Sequence, residues 1–349
     1  MDTMNTNTTN EMNKASMTND VNTMSSDCRH AAKHRELGAL RGADNDADTV
    51  MTNGANPTVM NDSSNMDKPN SKLSIDRISF VGAGSMAEAI IRGLINTGWI
   101  ASRQIVAVNR SNAERLQQLA SLYDISIPTD EAARDQLITS SDIVVLAMKP
   151  KDAAQAIADL APRLHERQLI ISVIAGLNIG SLTRIIGKPL PIARTMPNTS
   201  SSIGLGATGI SFSERVTDVQ RQLAQTIFES VGIVRIVEEP LLDVVTGVSG
   251  SGPAYIYYVM EAMIRGGIEC GLSPDAAKDL TLQTVLGAAR MVQETGEEPA
   301  ELRRKVTSPG GTTQAALELM ASNDLQETIS NAVKRAAERA RELGAALEK

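Results

Sequence analysis

The sequence predicts an α/β chain in which a doubly wound sheet domain is followed by an all-α domain. Three observations carry this. Short apolar runs of strand length alternate with helically spaced segments from Arg77 to Val237. The first run opens into a helix through a glycine-rich turn, Gly82-Ala83-Gly84. Beyond Pro240 the strand signals stop, and the remaining residues, 240–349, read as helices.

Residues 1–74 stand apart in composition, with eight of the fifteen methionines, twelve asparagines and no aromatic residue. Such a segment buries too little apolar surface to offset the entropy of ordering, so a disordered tail is predicted. It lacks the basic start and apolar run of a secretory signal, and ten acidic against seven basic residues do not suit a mitochondrial presequence. Met60 and Met66 offer alternative starts.

The sheet domain is expected over 75–239. Arg77 to Val81 reads as a strand, and Glu88 to Thr97 has helical spacing. The turn between them is a GxGxxA dinucleotide fingerprint in the strand–turn–helix context it requires, which makes this a Rossmann-type domain. Gly82 permits the tight turn, Gly84 admits a pyrophosphate to the backbone, and Ala87 lets helix and strand pack closely. Gly82, Gly84, Ser85 and Met86 are therefore candidate cofactor ligands. The next strand, Ile105 to Val108, ends in Asn109-Arg110-Ser111. An acidic residue there would hold the ribose 2′-hydroxyl of NAD. An amide and a guanidinium suit a 2′-phosphate instead, so Asn109 and Arg110 point to NADP(H). A helix from Asn112 to Ser121 follows.

Ile143 to Ala147 is a continuous apolar run, as in a strand buried on both faces. Its carboxyl end places Ala147 and Lys149 at the expected cofactor crevice, where Lys149 meets phosphate or ribose or simply caps a loop. Leu169 to Ile174 and Ile192 to Arg194 are further strands, with a short helix from Ser181 to Ile186 between them. The turn Arg194-Thr195-Met196-Pro197-Asn198-Thr199 then puts Asn198 at the rim as a candidate substrate ligand. Gly206 to Phe212 and Ile233 to Val237 flank a helix from Asp218 to Ser230, bringing the total to six to eight strands.

In the helical domain, Pro253 suits a first helical position, and Val259 to Cys270 is apolar around most of its circumference. Gly271 ends that helix, a second runs from Ser273-Pro274 to Glu294, and a shorter one from Pro299 to Val306. The last helix carries Leu325, Ile329, Val333, Ala336, Ala340, Leu343 and Leu347 on one stripe. One copy of so apolar a bundle would not cover its central helix, so two chains are expected to interlock as a homodimer. Between the last helices lies VTSPGGTTQAALELM, residues 306–320. Gly310 and Gly311 turn the backbone, and Thr312 and Thr313 open a helix whose first N–H groups attract carboxylate or phosphate. Taken alone, it reads more readily as a tight helix–helix turn with threonine caps, and the rest of the chain overturns that reading.

Net charge is −7 with a pI near 5.2, which argues against nucleic acid as a partner. Cys28 and Cys270 lie far apart with no CxxC pattern, so no zinc site is indicated. The histidines are His30, His34 and His165, two of them in the tail, so histidine acid–base chemistry has almost no candidate. No apolar run reaches the roughly 18 residues of a membrane span, and a soluble cytoplasmic protein is expected.

With these pieces in order, residues 76–345 resemble the pyrroline-5-carboxylate reductase family. FVGAGSMAEAI at 80–90, LAMKP at 146–150, RTMPNT at 194–199, and SGSGPAY followed by VTSPGGTTQAALELM carry the resemblance. It implies reduction of 1-pyrroline-5-carboxylate to L-proline with NADPH or NADH, in dimers or larger assemblies. By the same resemblance the Thr313 hydroxyl bonds the imine nitrogen. The substrate carboxylate is then expected on the N–H groups of Gly311, Thr312 and Thr313, with Ser308 positioning the loop. A β-hydroxyacid dehydrogenase is the nearest rival, but the helix after Pro253 lacks the lysine that such enzymes use. A sensor that binds NADP without turnover is the other alternative.

Overall fold

The computed structural model describes residues 75–347. The tail predicted as disordered lies outside the described residues. Seven strands form one sheet: β1 (Ile78–Val81), β2 (Ile105–Val108), β3 (Ile143–Leu146), β4 (Leu169–Ser172), β5 (Ile192–Met196), β6 (Gly206–Phe212) and β7 (Gly232–Ile236). The order is β2-β1-β3-β4-β5-β6-β7, parallel except for the antiparallel β5–β6 pair. Strands β2, β3 and β4 are buried throughout, as their unbroken apolar runs require when helices cover both faces.

Helices α1 (Ser85–Asn96), α2 (Ala113–Tyr123) and α6 (Asp218–Glu229) cover one face. Their contribution to the core includes Ile90, Leu94, Leu119, Ile227 and Phe228, packed on Ile78 and Phe80. On the other face, α3 (Glu131–Thr139), α4 (Pro150–Leu160) and α5 (Ile179–Ile186) bring Ile138, Ile157 and Leu182 onto Val144, Leu146 and Ile170. The sequence analysis did not foresee α3 or α4. Helix α3 buries only Ile138, so it has almost no apolar stripe to read. Helix α4 did carry a signal in Pro150 at its start and Ala153, Ile157 and Leu160 along one face.

The chain leaves β1 for β2 on one side and returns for β3 on the other, which opens a crevice at the carboxyl ends of β1 and β3. The register holds Val81 level with both Val108 and Leu146, so Gly82, Asn109 and Ala147 emerge together there.

From Glu239 onward the described chain is all helical. A 3-10 turn (Glu239–Leu241) leads to α7 (Leu242–Val245), a π-helical turn (Thr246–Gly250), α8 (Gly252–Glu269), α9 (Pro274–Thr295), α10 (Pro299–Lys305), α11 (Thr312–Ser322) and α12 (Leu325–Leu347). In the π turn, the Ser251 N–H reaches back to the Thr246 carbonyl at 2.8 Å. Arg194 of β5 ties this segment to the sheet. Its side chain is buried and reaches Glu239 at 3.4 Å and Asp243 at 3.2 Å. Glu239 also accepts a bond from the Ile179 N–H at 2.7 Å, at the start of α5.

Helix α12 folds back over the π turn, where Gly247 makes the approach tolerable. A Cβ on Gly247 would sit 2.5 Å from the Val333 carbonyl oxygen, a backbone atom that cannot step aside cheaply. Gly247→Ala is expected to cost about 2 kcal/mol, the scale of an overpacked contact. Urea unfolding should show it, with hydrogen exchange accelerated along the middle of α12.

The apolar stripe expected on α12 is met only in part. Ala337, outside that stripe, is buried, and Val333, Ala336 and Ala340 are half-buried, whereas Leu325, Ile329 and Leu343 are exposed. Within one chain the middle of α12 rests on the π turn at Gly247, and Gly344 further on lies close to Gly176. Helix α8, expected to be enclosed on several sides, has no buried residue. Ile256, Tyr257, Tyr258, Met263 and Ile268 all face outward. Within a single chain this apolar helix packs on α9 yet leaves much of its surface exposed.

Candidate functional site

The crevice at the β1–β3 switch point is a cavity of about 560 Å³, lined among others by Gly82, Gly84, Asn109, Arg110, Ala147 and Lys149. Gly82 has φ +110, its N–H donates to the Val108 carbonyl, and a Cβ would lie 2.5 Å from the Ala147 carbonyl oxygen. Only glycine fits there. Gly84 caps α1 without any side-chain bond, and the space around its Cα is empty. The uncapped start of α1 thus borders the cavity at Gly84, a setting that favours an anion. Ala87 is fully buried against the sheet. Ser85 is exposed on the first turn; it and the half-buried Met86 flank the cavity floor without lining it.

On the rim, the Asn109 amide oxygen accepts from the Ser111 N–H at 3.4 Å. Arg110 is exposed and has no hydrogen bond or ion pair among the described residues, which leaves its guanidinium free for an anion. Lys149, also exposed, sits at the N-terminus of α4 ahead of Pro150.

The sequence analysis missed Arg115. Its Nε donates to the Ala83 carbonyl at 3.1 Å, its guanidinium pairs with Glu88, and the Tyr123 hydroxyl donates to Glu88 at 2.9 Å. Burial pushes the Glu88 carboxyl up, but the Arg115 and Tyr123 bonds outweigh it and hold the group below its ordinary range. Burial and the Glu88 charge push the Tyr123 phenol up. This cluster clamps α2 to the glycine turn. No local pattern announces it, because its members lie 27 and 35 residues apart.

Residues 306–320 do not line this cavity. Gly310 has φ +69, and its N–H is capped by the Gln314 side chain at 2.8 Å. Gly311 precedes α11 as its N-cap, with no side-chain bond. One expectation is corrected here. The Gly311 N–H donates to the Ser308 carbonyl at 3.0 Å, because that bond closes the Pro-Gly-Gly turn, and it is not offered to a ligand. Exposed Thr312 and half-buried Thr313 stand at the open helix start. Ser308 is exposed and holds the loop through its carbonyl.

Asn198 is also corrected. It is buried, its amide nitrogen donates to the Ser249 carbonyl at 3.0 Å, and its amide oxygen accepts from the Ala207 N–H at 3.1 Å. Those three backbones come together only in the folded chain, so the side chain staples the β5 loop to β6 and the π turn instead of facing a substrate. In the adjoining SGSGPAY segment the Tyr255 hydroxyl is buried without a partner, a group that sequence reading did not single out. Among the described residues no His, Cys, Asp or Glu cluster could hold a metal ion, and no helix is long and apolar enough to cross a membrane.

A glycine-turn crevice at a sheet switch point, followed by a helical domain with a second open helix start, defines a two-domain dinucleotide-dependent oxidoreductase. Comparison with known proteins narrows this. Residues 77–176 match the family described as NADP oxidoreductase coenzyme F420-dependent, and residues 239–343 match pyrroline-5-carboxylate reductase dimerisation. The chain is 42% identical over 274 residues to pyrroline-5-carboxylate reductase 1 of Bacillus subtilis, covering 78% of this chain and 91% of that protein. Against the pyrroline-5-carboxylate reductase of Arabidopsis thaliana, identity is 37%, over 76% of this chain and 95% of the plant enzyme. A solved pyrroline-5-carboxylate reductase from Coxiella burnetii superposes with a TM-score of 0.72 at 38% identity, covering 77% of this chain and 99% of that one. The Plasmodium falciparum enzyme, solved with NADP bound, gives 0.68 at 30% identity, covering 78% and 99%. The chain belongs to the pyrroline-5-carboxylate reductase family.

Proposed function

We propose that this chain reduces 1-pyrroline-5-carboxylate to L-proline with NADPH, by hydride transfer to the C=N bond, as the last step of proline biosynthesis. The observation that carries the reading is the switch-point cavity, with an uncapped helix start on its floor and an unpaired Arg110 on its rim. The residues present fit the cofactor. The Gly82–Met86 turn takes the pyrophosphate, Asn109 and Arg110 take the 2′-phosphate, and Ala147 and Lys149 border the ribose and phosphates. When bound, the reduced nicotinamide supplies the hydride.

The substrate is assigned to α11. Its carboxylate lies on the Thr312 and Thr313 N–H groups, and the Thr313 hydroxyl oxygen hydrogen-bonds the protonated ring nitrogen as acceptor. Ser308 and Asn198 hold the two loops in place. A cyclic imine is basic enough to carry a proton near neutral pH, so the reaction needs no strong general acid. That suits a site with no histidine in it.

In one chain these threonines do not line the cofactor cavity, and α8 has no buried residue. Two chains interlocked through residues 240–349 would cover α8 and bring the α11 loop of one over the 75–239 cofactor domain of the other. The working enzyme is on this reading a cytoplasmic homodimer or larger assembly of dimers. NADPH oxidation with and without pyrroline-5-carboxylate, repeated on a chain starting at Met66, tests the activity and whether the tail is dispensable. Cofactor binding without turnover on adding the imine would favour a sensor. A fully active monomer in dilute solution would exclude the shared site.

Arg110 carries the choice of cofactor. Losing a charge-assisted bond costs about 2 kcal/mol, or about thirtyfold in binding. Arg110→Ala should therefore raise the KM for NADPH about thirtyfold and leave that for NADH within about twofold. Equal weakening of both would place Arg110 on the pyrophosphate instead.

A further inference from the structure

We propose that β7 pairs antiparallel with β7 of a second copy across a two-fold axis at Val234, so that two sheets continue as one. The inference rests on the dimer proposed above. Strand β7 ends the sheet order, with no neighbour beyond it among the described residues. Towards β6 it turns the Val231 carbonyl, bonded to the Gly206 N–H, and the Val237 N–H, bonded to the Ile210 carbonyl. Backbone groups alternate along a strand, so Gly232, Val234 and Ile236 point their N–H and C=O groups away from the sheet.

Such an edge is ordinarily blunted by charge, proline or a covering element. This one is apolar instead. Ile233 and Ile236 are 56% and 53% exposed, and Ile203 and Leu205, beside the start of β6, are 72% and 63% exposed. The one charged residue on β7, Arg235, folds back to donate to the outward Val234 carbonyl at 2.8 Å. Three residues beyond β7 the dimerisation match begins at residue 239, and it contains the exposed Leu241 and Val244. That adjacency along the chain identifies the occupant as a second copy of this chain.

Identical edges related by a two-fold axis can pair only antiparallel, with one register position meeting itself. Centring the axis on Val234 uses all the outward groups. Val234 meets Val234 of the second copy as a hydrogen-bonded pair, and Gly232 meets Ile236. Ile233 then faces Arg235, which keeps the two arginines from meeting and lays an apolar side chain along an aliphatic stem. The Arg235 guanidinium swings off the Val234 carbonyl to make way.

A hydrogen-bonded antiparallel pair holds its Cα atoms about 5.5 Å apart, within the range a disulfide spans. Val234→Cys, in a background carrying Cys28→Ser and Cys270→Ser, tests the pairing under mild oxidation. Most of the protein should migrate as a covalent dimer on a non-reducing gel, with NADPH oxidation retained. Ile233→Cys in the same background should remain largely uncrosslinked, because its counterpart lies two register positions away. Sedimentation of both variants under reducing conditions reports the dimer separately. A dimer that forms no disulfide through Val234→Cys, or forms one equally through Ile233→Cys, overturns the β7 pairing and leaves the helical dimer standing. A reduced monomer overturns both.

Discussion

Replacing Thr313 by alanine is expected to lower kcat/KM for pyrroline-5-carboxylate by at least about a hundredfold, or about 2.7 kcal/mol of transition-state stabilisation. The argument starts from the turn. The Gly310 and Gly311 N–H groups are already engaged by Gln314 and Ser308, so the loop is preset before any ligand arrives. Thr313 then offers an N–H and a hydroxyl together, the pair an imino acid needs for its carboxylate and its ring nitrogen. Removing the hydroxyl leaves the nitrogen, which gains electron density as hydride arrives, without its partner. Thr313→Ser keeps the hydroxyl and should retain most of the activity, with a modest loss from the freer rotamer. Steady-state kinetics with saturating NADPH separate the two variants, and an alanine variant with wild-type turnover and affinity would remove Thr313 from the reaction.

Arg194→Ala should cost about 3 kcal/mol of stability, the low end for deleting one member of a buried ion pair. The guanidinium side chain is 9% exposed, while the carboxylates it serves, Glu239 and Asp243, are 28% and 16% exposed. Left alone, those carboxylates can turn partly towards water, which keeps the loss from being larger. Because they begin the helical segment, the loss should loosen α7 and the π turn before the sheet. Urea unfolding at fixed chain concentration should give a lower midpoint with an unchanged slope. Arg194→Lys, which lacks the fork needed to reach two carboxylates, should recover only part of the difference.

How far the site was legible follows from the range over which each feature is encoded. The cofactor turn is local. The glycines, the preceding strand and the following helix occupy consecutive positions, and Gly82, read from them as permitting the tight turn, has φ 110 in the structure. The β2 end is equally local, and Asn109 and Arg110, the candidates read from it, line the cavity. Asn198 misled because its neighbours in sequence suggest an exposed turn, while its partners Ala207 and Ser249 lie 9 and 51 residues away. The Arg115–Glu88–Tyr123 clamp was invisible for the same reason. Helix α3 escaped because one buried residue makes no periodic signal.

The sequence by itself determined the alternation of strands and helices, the dinucleotide turn, the change to an all-helical segment after Pro240, and an apolar helix too large for one chain to cover. Each of these is a short-range pattern of backbone freedom or apolar spacing. Only the tertiary structure decided which polar side chains remain free for chemistry. It engaged Asn198 and the Gly311 N–H internally, left Arg110 unpaired among the described residues, and set the α11 threonines outside the cavity their own chain builds. The physical reason is that a hydrogen-bonding group is available only if no partner reaches it, and partners from distant segments meet only when the sheet and helices pack.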